Sequence, residues 1–231
     1  MKTLIIVPAY NEARSIGPLL RELKREGPWD ILVINDGSTD DTEDVVRGSG
    51  VSWISLPLNL GIGGAVQTGL RYAREKHYQI VVQVDGDGQH DPRQIERLIQ
   101  PILRHQADAV IGSRFLQKTD FRSNWHRRTG IRFLQFLSRL LAGQSVTDCT
   151  SGFRAFNEKA VSHLADHYAV DYPEPEAVIS LFKQRFRILE VPVAMRSRKA
   201  GRSSISGWAS IYYLYKVVVS MVIEFIRSPH E

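Results

Sequence analysis

The stretch Val81–Pro92, VVQVDGDGQHDP, determines how the rest of the sequence is interpreted. Its first residues continue the apolar run YQIVVQVD, which predicts a buried β-strand that ends near Val84. Carboxylates and glycines follow at once. Asp91 and Pro92 then have the form of an N-cap and the first residue of a helix. The stretch is therefore typical of a strand-to-helix connection in an α/β domain.

The same alternation of strands and helices recurs on both sides of this stretch. Before it, each predicted strand leads into a helix, and Ser38, Thr39 or Asp40 is available to cap the second helix. After it, a helix leads to ADAVIGSRF, a fifth strand that we expect to close the series. The alternation predicts a mostly parallel sheet covered by helices on both faces. The segments that form it are KTLIIVPAYNE, with a strand stopped by Pro8, SIGPLLRELKRE, WDILVINDGSTDDT, VSWISLP, NLGIGGAVQTGLRYARE, YQIVVQVD, RQIERLIQPILRH and ADAVIGSRF.

Three polar groups fall at predicted carboxyl ends of strands, where ligands of parallel sheets bind. They are Tyr10-Asn11-Glu12, Asp36-Gly37-Ser38 and Asp85-Gly86-Asp87. Asp85 and Asp87 lie two residues apart beside glycines, so both carboxylates, and the Gln89 amide oxygen, can reach one cation. Oxygen ligands favour Mg²⁺ or Mn²⁺ over zinc, and Mg²⁺ is commonly shared with a substrate phosphate.

The sequence motifs of two other kinds of ligand site match parts of this sequence only weakly. An EF-hand calcium loop that starts at Asp85 would need glycine at its sixth position, where His90 stands, and a helix before it. A dinucleotide fingerprint in NLGIGG would need its third glycine at Val66 and a place after the first strand. Calcium is rejected, and the glycines are interpreted as a tight turn into a helix.

Composition limits the class of protein. The chain has 231 residues, 43% of them hydrophobic, which predicts one α/β domain with a C-terminal extension. Its single cysteine, Cys149, excludes an internal disulfide and is interpreted as a small, semi-buried residue. The opening apolar run LIIV is too short for a signal peptide, and no apolar run is long enough to span a membrane. We expect a soluble or peripheral protein on the cytoplasmic side.

The net charge of +5 is unevenly distributed. The segments Arg114–Arg139 and Lys183–Arg202 each contain seven basic residues against one acidic residue. Localised basic charge suits phosphates, anionic lipid or nucleic acid, although any single arginine among these is more simply a solvated surface residue.

Six motifs in order resemble those of one enzyme family: VPAYNE, VINDGSTDDT, NLGIGGAVQTGL, VDGDGQHDP, GSRF and TDCTSGFRAF. Together they are similar to the inverting family-2 glycosyltransferases of the GT-A fold. The resemblance is strongest to the branch with dolichol-phosphate mannose synthase and the bacterial polyprenyl-phosphate glycosyltransferases, and it covers roughly residues 1–205. It implies an α/β GT-A domain, a nucleotide-sugar donor and Mg²⁺ or Mn²⁺ as cofactor.

The resemblance also implies roles for individual residues. The nucleotide would be bound by Asp85 and Gly86 and, at its nucleoside, by Pro8, Tyr10, Glu12 and Asp36. The metal would be bound by Asp85, Asp87 and Gln89. Asp87, Arg114 and Glu176 would take part in catalysis. The acceptor phosphate would approach along Arg114, Arg128, Ser151 and Arg154, with Arg202 in a basic loop that closes over the site.

The acceptor decides whether a general base is needed. A polyprenyl phosphate is already anionic, whereas a glycan hydroxyl must lose its proton to a carboxylate. DYPEPEAV offers Asp171, Glu174 and Glu176, of which only Glu176 matches the FQIE-like stretch of the related synthases. The QxxRW signature of the processive polymerases is absent, so polysaccharide synthesis is disfavoured. A lipid-linked or cell-surface glycan remains the alternative acceptor.

Two apolar stretches suggest further contacts. GIRFLQFLSRLLAG forms either a helix at the membrane interface or one packed on the core, and SIYYLYKVVVSMVIEFIR is apolar but too charged to span a bilayer. We assign residues 1–205 to the catalytic domain and 206–231 to a helical extension that contacts a membrane, a membrane protein or a second copy of the chain.

Two other functional classes fit the sequence less well. A nucleotidyltransferase would carry a glycine-rich basic loop after its first strand, and VPAYNEARS has none. A non-catalytic module that binds membranes or nucleic acid would not need carboxylates at strand ends. We therefore expect an enzyme, with no nucleic-acid partner.

Overall fold

A computed structural model of the chain describes residues 1–116, 146–169 and 173–196, together with positions 216, 218, 219, 223, 225 and 226. Within the three continuous ranges, the strands are β1 Thr3–Ala9, β2 Asp30–Asn35, β3 Ser52–Ser55, β4 Ile80–Gln83, β5 Ala109–Ser113, β6 Arg154–Asn157 and β7 Ile188–Pro192. The α-helices are α1 Ala13–Glu26, α2 Thr42–Arg47, α3 Gly61–Glu75, α4 Ile95–Leu103, α5 Glu158–His167 and α6 Pro173–Lys183. A 3₁₀ turn, Pro92–Gln94, leads into α4.

The strands form one sheet in the order β3-β2-β1-β4-β6-β5-β7. Every pairing is parallel except those of β6, which lies antiparallel between β4 and β5 and pairs Ala155 with both Val82 and Val110. The predicted mostly parallel α/β sheet is confirmed. The expectation that ADAVIGSRF closes the series is wrong, because β6 and β7 follow it.

Alternate residues of the strands point to opposite faces of the sheet, and both faces are covered. Leu4 and Ile6 of β1 belong to a cluster with apolar residues of α3, α5 and α6. Ile5 and Val7 belong to a second cluster with residues of α1, α2 and α4. The predicted helical stripe of α1, Ile16, Leu19, Leu20 and Leu23, is buried in this second cluster. The sheet is thus the middle of three layers, and its ends are left for loops.

The predicted helix starts are partly confirmed. The Asp91 side chain accepts a hydrogen bond from the Arg93 N–H at 3.2 Å, as expected of an N-cap before Pro92. Asp41 occupies the N-cap position of α2 without a side-chain bond, and Asp40 Oδ1 instead accepts from the Thr42 N–H at 3.0 Å.

Pro8 does not stop the first strand as predicted, because β1 continues to Ala9. β4 ends at Gln83, which pairs with Ile6, so the regular β1–β4 pairing ends before Pro8. The Pro8 carbonyl still accepts from the Gly86 N–H at 3.1 Å, a bond that proline can make. Among the residues that the structure describes, no helix has the length and apolar character needed to cross a bilayer.

Candidate active site

The loops after β1 and β2 are joined at the carboxyl edge of the sheet. Asn11 donates its N–H to Ser38 Oγ at 3.0 Å, and its Oδ1 accepts from the Thr39 N–H at 2.8 Å. Asn11 has a φ of 55°, in the left-handed region that asparagine tolerates better than most residues. The four residues predicted to contact the nucleoside lie on these joined segments, buried except for the half-exposed Tyr10 and partly exposed Glu12: Pro8, Tyr10, Glu12 and Asp36.

The Asp36 carboxylate points toward the start of α3. Its Oδ1 accepts from the Leu60 N–H at 2.7 Å. Burial raises the pKa of Asp36, while the nearby backbone N–H groups of Leu60 and Gly61 oppose that rise. Gly37 has a φ of 66°, and a Cβ there would lie 2.7 Å from the Leu58 carbonyl carbon, so this turn requires glycine. Part of the hydrogen-bonding capacity of Asp36 is therefore used within the protein.

The segment Asp85–Gln89, here named the acid loop, lies against the end of β1. The Gly86 N–H donates to the Pro8 carbonyl, and a Cβ at Gly86 would lie 3.0 Å from that oxygen, so the approach is close. Asp87 Oδ1 accepts from the Gln89 N–H at 3.0 Å, which tightens the turn. The side chain of Asp85 is 34% exposed. Asp85, Asp87 and Gln89 thus share one loop beside the predicted nucleoside residues.

Three residues surround Asp85. His90 Nδ1 accepts from the Asp85 N–H at 3.0 Å, and Gln83 Nε2 lies 3.4 Å from Asp85 Oδ1. Gly152 packs directly on the carboxylate, since a Cβ there would lie 2.7 Å from Oδ2. None of the three was predicted as a site residue, although His90 lies in the opening stretch and Gly152 in the TDCTSGFRAF motif.

Arg114 is held by a buried carboxylate that the motifs did not single out. Its Nε and Nη2 donate to the two oxygens of Asp148, both at 2.6 Å, and Asp148 is 1% exposed. Burial opposes the charge of Arg114, but these bonds raise its pKa, and the Asp85 carboxylate adds to the rise. Glu190 of β7 holds the loop in turn by accepting the Asp148 N–H at 2.8 Å. Arg114 is therefore a fixed cation within electrostatic reach of the acid loop.

Ser151 and Arg154 are buried and bonded inside the protein. Ser151 Oγ donates to the Gly112 carbonyl at 2.7 Å. Arg154 is 1% exposed, and its guanidinium donates to three carbonyls, those of Cys149, Ser151 and Glu174, at 2.6–2.8 Å. This geometry favours a structural role for both side chains. Arg154 ties the TDCTSGFRAF loop to the start of α6.

Glu174 and Glu176 lie in the first turn of α6. Burial of the Glu174 carboxyl group raises its pKa; nearby Arg154 opposes the rise, and Asp85 adds to it. Glu174 is consequently within electrostatic reach of the acid loop. Cys149 is buried, and burial raises its thiol pKa to about 12, which agrees with its prediction as a packing residue.

The donor set on the acid loop suits a hard divalent cation. Asp85 and Asp87 offer carboxylate oxygens on one short loop, and Mg²⁺ commonly takes one or two protein carboxylates together with water and substrate phosphate. Over the described part of the chain, no group of three His, Cys, Asp or Glu residues forms a complete metal site. The residues present therefore fit a cation that is shared with a ligand.

Three predicted site residues lie outside the described residues: Arg128, Asp171 and Arg202. Most of the two predicted apolar helices lies outside them too. Of the residues that sequence reasoning missed, Asp148 lies within the quoted TDCTSGFRAF motif, but its pairing with Arg114, 34 residues away, is visible only in the fold. Gln83 carried no signal, since one amide within an apolar strand has no characteristic spacing.

Comparison with known proteins identifies the family. The model of glycosyl transferase family 2 matches residues 4–165, which is more than half of the chain. The chain belongs to this family and is a glycosyltransferase. The strand-end carboxylates thus lie in a family 2 glycosyltransferase, as the motifs implied.

The relatives of this family 2 enzyme include transferases named for polyprenyl phosphates. The UDP-N-acetylglucosamine–dolichyl-phosphate N-acetylglucosaminyltransferase of Methanococcus voltae is 31% identical over 95% of this chain and 97% of its own length. The undecaprenyl-phosphate mannosyltransferase of Micrococcus luteus is 30% identical over 90% of this chain and 88% of its own length.

The fold is shared with solved structures. Glucosyl-3-phosphoglycerate synthase from Mycobacterium tuberculosis, crystallised with Mn²⁺, UDP and phosphoglyceric acid, superposes with a TM-score of 0.76 at 20% identity. The match covers 100% of this chain and 80% of that one. At this identity the likeness concerns the fold, and it confirms the GT-A architecture of the family 2 domain.

Proposed function

We propose that this glycosyltransferase moves a sugar from a UDP- or GDP-sugar to a polyprenyl phosphate, with inversion at the anomeric carbon and with Mg²⁺ or Mn²⁺. One observation carries the proposal: the acid loop, with Asp85 and Asp87, lies at the same sheet edge as the joined loops of Tyr10 and Asp36. Two relatives that match at least 90% of this chain support the acceptor class. One is named for dolichyl phosphate and the other for undecaprenyl phosphate.

The proposed reaction is an in-line displacement that the protein assists by position and charge. Asp85, Asp87 and Gln89 would hold the cation, which neutralises the charge on the departing nucleoside diphosphate. Arg114 adds fixed positive charge near the acid loop, because Asp148 holds its guanidinium in one orientation. Pro8, Tyr10, Glu12 and Asp36 would orient the nucleoside. Arg128 and Arg202 would meet the acceptor phosphate.

Glu174 does not by itself decide the choice of acceptor. A carboxyl group must be ionised to take the proton of a hydroxyl acceptor, and burial of Glu174 raises its pKa, which disfavours the ionised form. An acceptor that is already anionic needs no base. Glu176 would then contribute to the site by position and charge. The acceptor class therefore rests on the relatives named for polyprenyl phosphates rather than on Glu174.

A product assay tests the proposal. Purified protein is incubated with nucleotide sugars, Mg²⁺ or Mn²⁺, and either undecaprenyl phosphate, dolichyl phosphate or a soluble glycan. We expect a glycosylated lipid phosphate from one donor and no product after chelation of the metal. Product on the glycan alone would contradict the acceptor class. No product with any pair would contradict the whole proposal.

Asp87→Asn tests the metal role directly. The substitution keeps the size of the side chain and removes the charge. We expect transfer to fall by at least about 100-fold, because removing a residue that only orients a metal ligand already costs up to about 100-fold. Asp44→Asn on α2 is the matched control, because its side chain is 77% exposed and its contact with Arg47 is a surface ion pair. Equal activity of the two variants would remove Asp87 from the mechanism.

We further propose that the enzyme works as a peripheral protein at the cytoplasmic face of a membrane, where a polyprenyl phosphate presents its head group. Ile223, Phe225 and Ile226 of the C-terminal segment are 43–73% exposed, which suits contact with a membrane surface, a membrane protein or a second copy. Flotation with vesicles that contain anionic lipid should carry the protein upward. A protein that stays at the bottom and sediments as a dimer would favour the homo-oligomer.

A further inference from the structure

His90 is a buried polar residue with no direct part in the proposed chemistry. It is 2% exposed, and its ring stacks on Phe153 with centroids 4.7 Å apart and planes 14° apart. Stacking fixes the plane of the ring and leaves its two nitrogens at the edge. Both nitrogens face Asp85, one toward the backbone and one toward the side chain.

The hydrogen bond to the backbone fixes the tautomer of this ring. His90 Nδ1 accepts the Asp85 N–H at 3.0 Å, and an accepting ring nitrogen carries no proton. The proton of the neutral imidazole is therefore on Nε2, which lies 3.6 Å from Asp85 Oδ2. One ring thus holds the main chain of Asp85 and presents an N–H toward one oxygen of its carboxylate.

The other carboxylate oxygen faces a second buried donor. Gln83 is 0% exposed on β4, and its Nε2 lies 3.4 Å from Asp85 Oδ1. The oxygen end of that amide has its own partner, because the Tyr168 OH donates to Gln83 Oε1 at 3.4 Å. Asp85 therefore lies between two N–H groups, each held by a further contact.

We propose that His90 and Gln83 are positioning residues that set the orientation of the Asp85 carboxylate toward the divalent cation. This inference rests on the proposed metal-dependent function. A carboxylate has about four lone-pair directions, and donors on the protein side leave the others for the cation. Partners of this kind that orient a ligand typically change metal affinity by about 10–100-fold when they are removed.

Three substitutions separate the contacts. His90→Phe keeps the stacked ring and removes both nitrogens. His90→Asn places an amide oxygen near the position of Nδ1, so it can still accept the Asp85 N–H. Gln83→Met keeps the side-chain length, removes the donor to Oδ1 and leaves His90 unchanged. His105→Asn is the control, since His105 is exposed and its φ of 54° suits asparagine.

The primary measurement is Mn²⁺ binding in the presence of UDP or GDP. The electron paramagnetic resonance signal of free Mn²⁺ reports how much of the ion is bound. We expect His90→Phe and Gln83→Met to weaken Mn²⁺ binding by about 10–100-fold. His90→Asn, which keeps the bond to the Asp85 N–H but lacks the Nε2 donor, should recover only part of the affinity lost in His90→Phe. In the transfer assay, the KM for Mn²⁺ should rise in the weakened variants, while kcat at saturating Mn²⁺ changes less.

The outcomes distinguish this inference from the proposed function. Wild-type protein that binds no Mn²⁺ with either nucleotide would overturn both. Wild-type binding with unchanged affinity in folded His90→Phe would overturn the role of His90 alone. Equal weakening in His90→Phe and His90→Asn would overturn the backbone contact as the cause. If His90→Phe fails to fold, Gln83→Met still decides, because unchanged Mn²⁺ affinity there contradicts the two-sided positioning.

Discussion

Gly152 owes its identity to the carboxylate beside it. A Cβ at this position would lie 2.7 Å from Asp85 Oδ2 and 2.9 Å from Oδ1, closer than real Cβ contacts allow. We predict that Gly152→Ala displaces the Asp85 carboxylate while the protein stays folded, and that Mn²⁺ binding weakens by about tenfold, as for loss of an orienting contact. Calorimetric titration of Mn²⁺ with UDP or GDP measures the change.

Gly48→Ala is the control for this substitution. Gly48 ends α2 with a φ of −72°, and its added Cβ would meet the Asp44 carbonyl at an ordinary 3.5 Å. We expect no change in Mn²⁺ binding there. Equal Mn²⁺ affinity in Gly152→Ala and Gly48→Ala would show that Asp85 adapts to the methyl group without cost.

At this scale, the sequence predicts where charged residues lie along the fold better than it predicts their contacts. Asp85 and Asp87 follow the end of one apolar strand, so local pattern was sufficient to place both at that strand end. Arg114 and Arg154 look alike in sequence, each in a motif after or within a strand. Only the fold shows that Arg114 faces the buried Asp148 near the acid loop. The Arg154 guanidinium instead donates hydrogen bonds to three carbonyls. Asp148 lies 34 residues from Arg114, and Glu174 lies 20 residues from Arg154, so neither pairing can be read from local pattern.

At the scale of elements, the missed strands have a physical explanation. β6, RAFN, has four residues, begins with a buried arginine and shows no alternation of polar and apolar residues. Its position in the sheet depends on antiparallel bonds to β4 and β5, which no local pattern encodes. The five predicted strands are apolar runs followed by turn residues or helices, so periodicity was enough for them.

The chain that follows β7 bonds to the end of the acid loop and holds it in place. The Arg196 N–H donates to the Gln89 carbonyl at 2.9 Å, and Met195 forms a β-bridge with His90. The Gln94 side chain bonds both the N–H and the carbonyl of Ala194, at 2.9 and 2.7 Å. The end of the acid loop and the start of α4 are therefore held by a segment about 100 residues later in the sequence.

Arg196→Met tests a further contact of this segment, made by the Arg196 side chain. The guanidinium bonds Glu22 of α1 at 2.6 Å and Asp91 at 2.8 Å, and its side chain is 28% exposed. We predict a loss of about 1–2 kcal/mol in the free energy of unfolding, because two charge-assisted bonds at a partly exposed site are removed. Arg47→Met, which removes a surface i,i+4 pair with Glu43, should cost about 0.5 kcal/mol or less. Urea unfolding compares the two variants. Equal midpoints would contradict a stabilising role of the Arg196 bonds to Glu22 and Asp91.

At the scale of the whole molecule, the site depends on the sheet as a unit. Two apolar clusters cover opposite faces of the same strands, so we expect both layers to unfold in one transition. The nucleoside loops follow β1 and β2, the acid loop follows β4, and the Arg114 turn follows β5. A ligand that contacts all of these loops bridges strands across the sheet and stabilises the complete domain.

Thermal unfolding tests whether nucleotide and metal share this site. A ligand that binds only the folded state stabilises it by about 2.7 kcal/mol at 100 times its Kd. For a protein of this size that corresponds to a rise in Tm of about 5–11 °C. We predict such a rise with Mn²⁺ and the correct nucleoside diphosphate together, a much smaller rise with either alone, and loss of the rise in Asp87→Asn. The nucleotide that gives the larger shift, UDP or GDP, identifies the donor class. Additive small shifts from Mn²⁺ and nucleotide, unchanged in Asp87→Asn, would place the two ligands at separate sites and contradict the shared edge of the sheet.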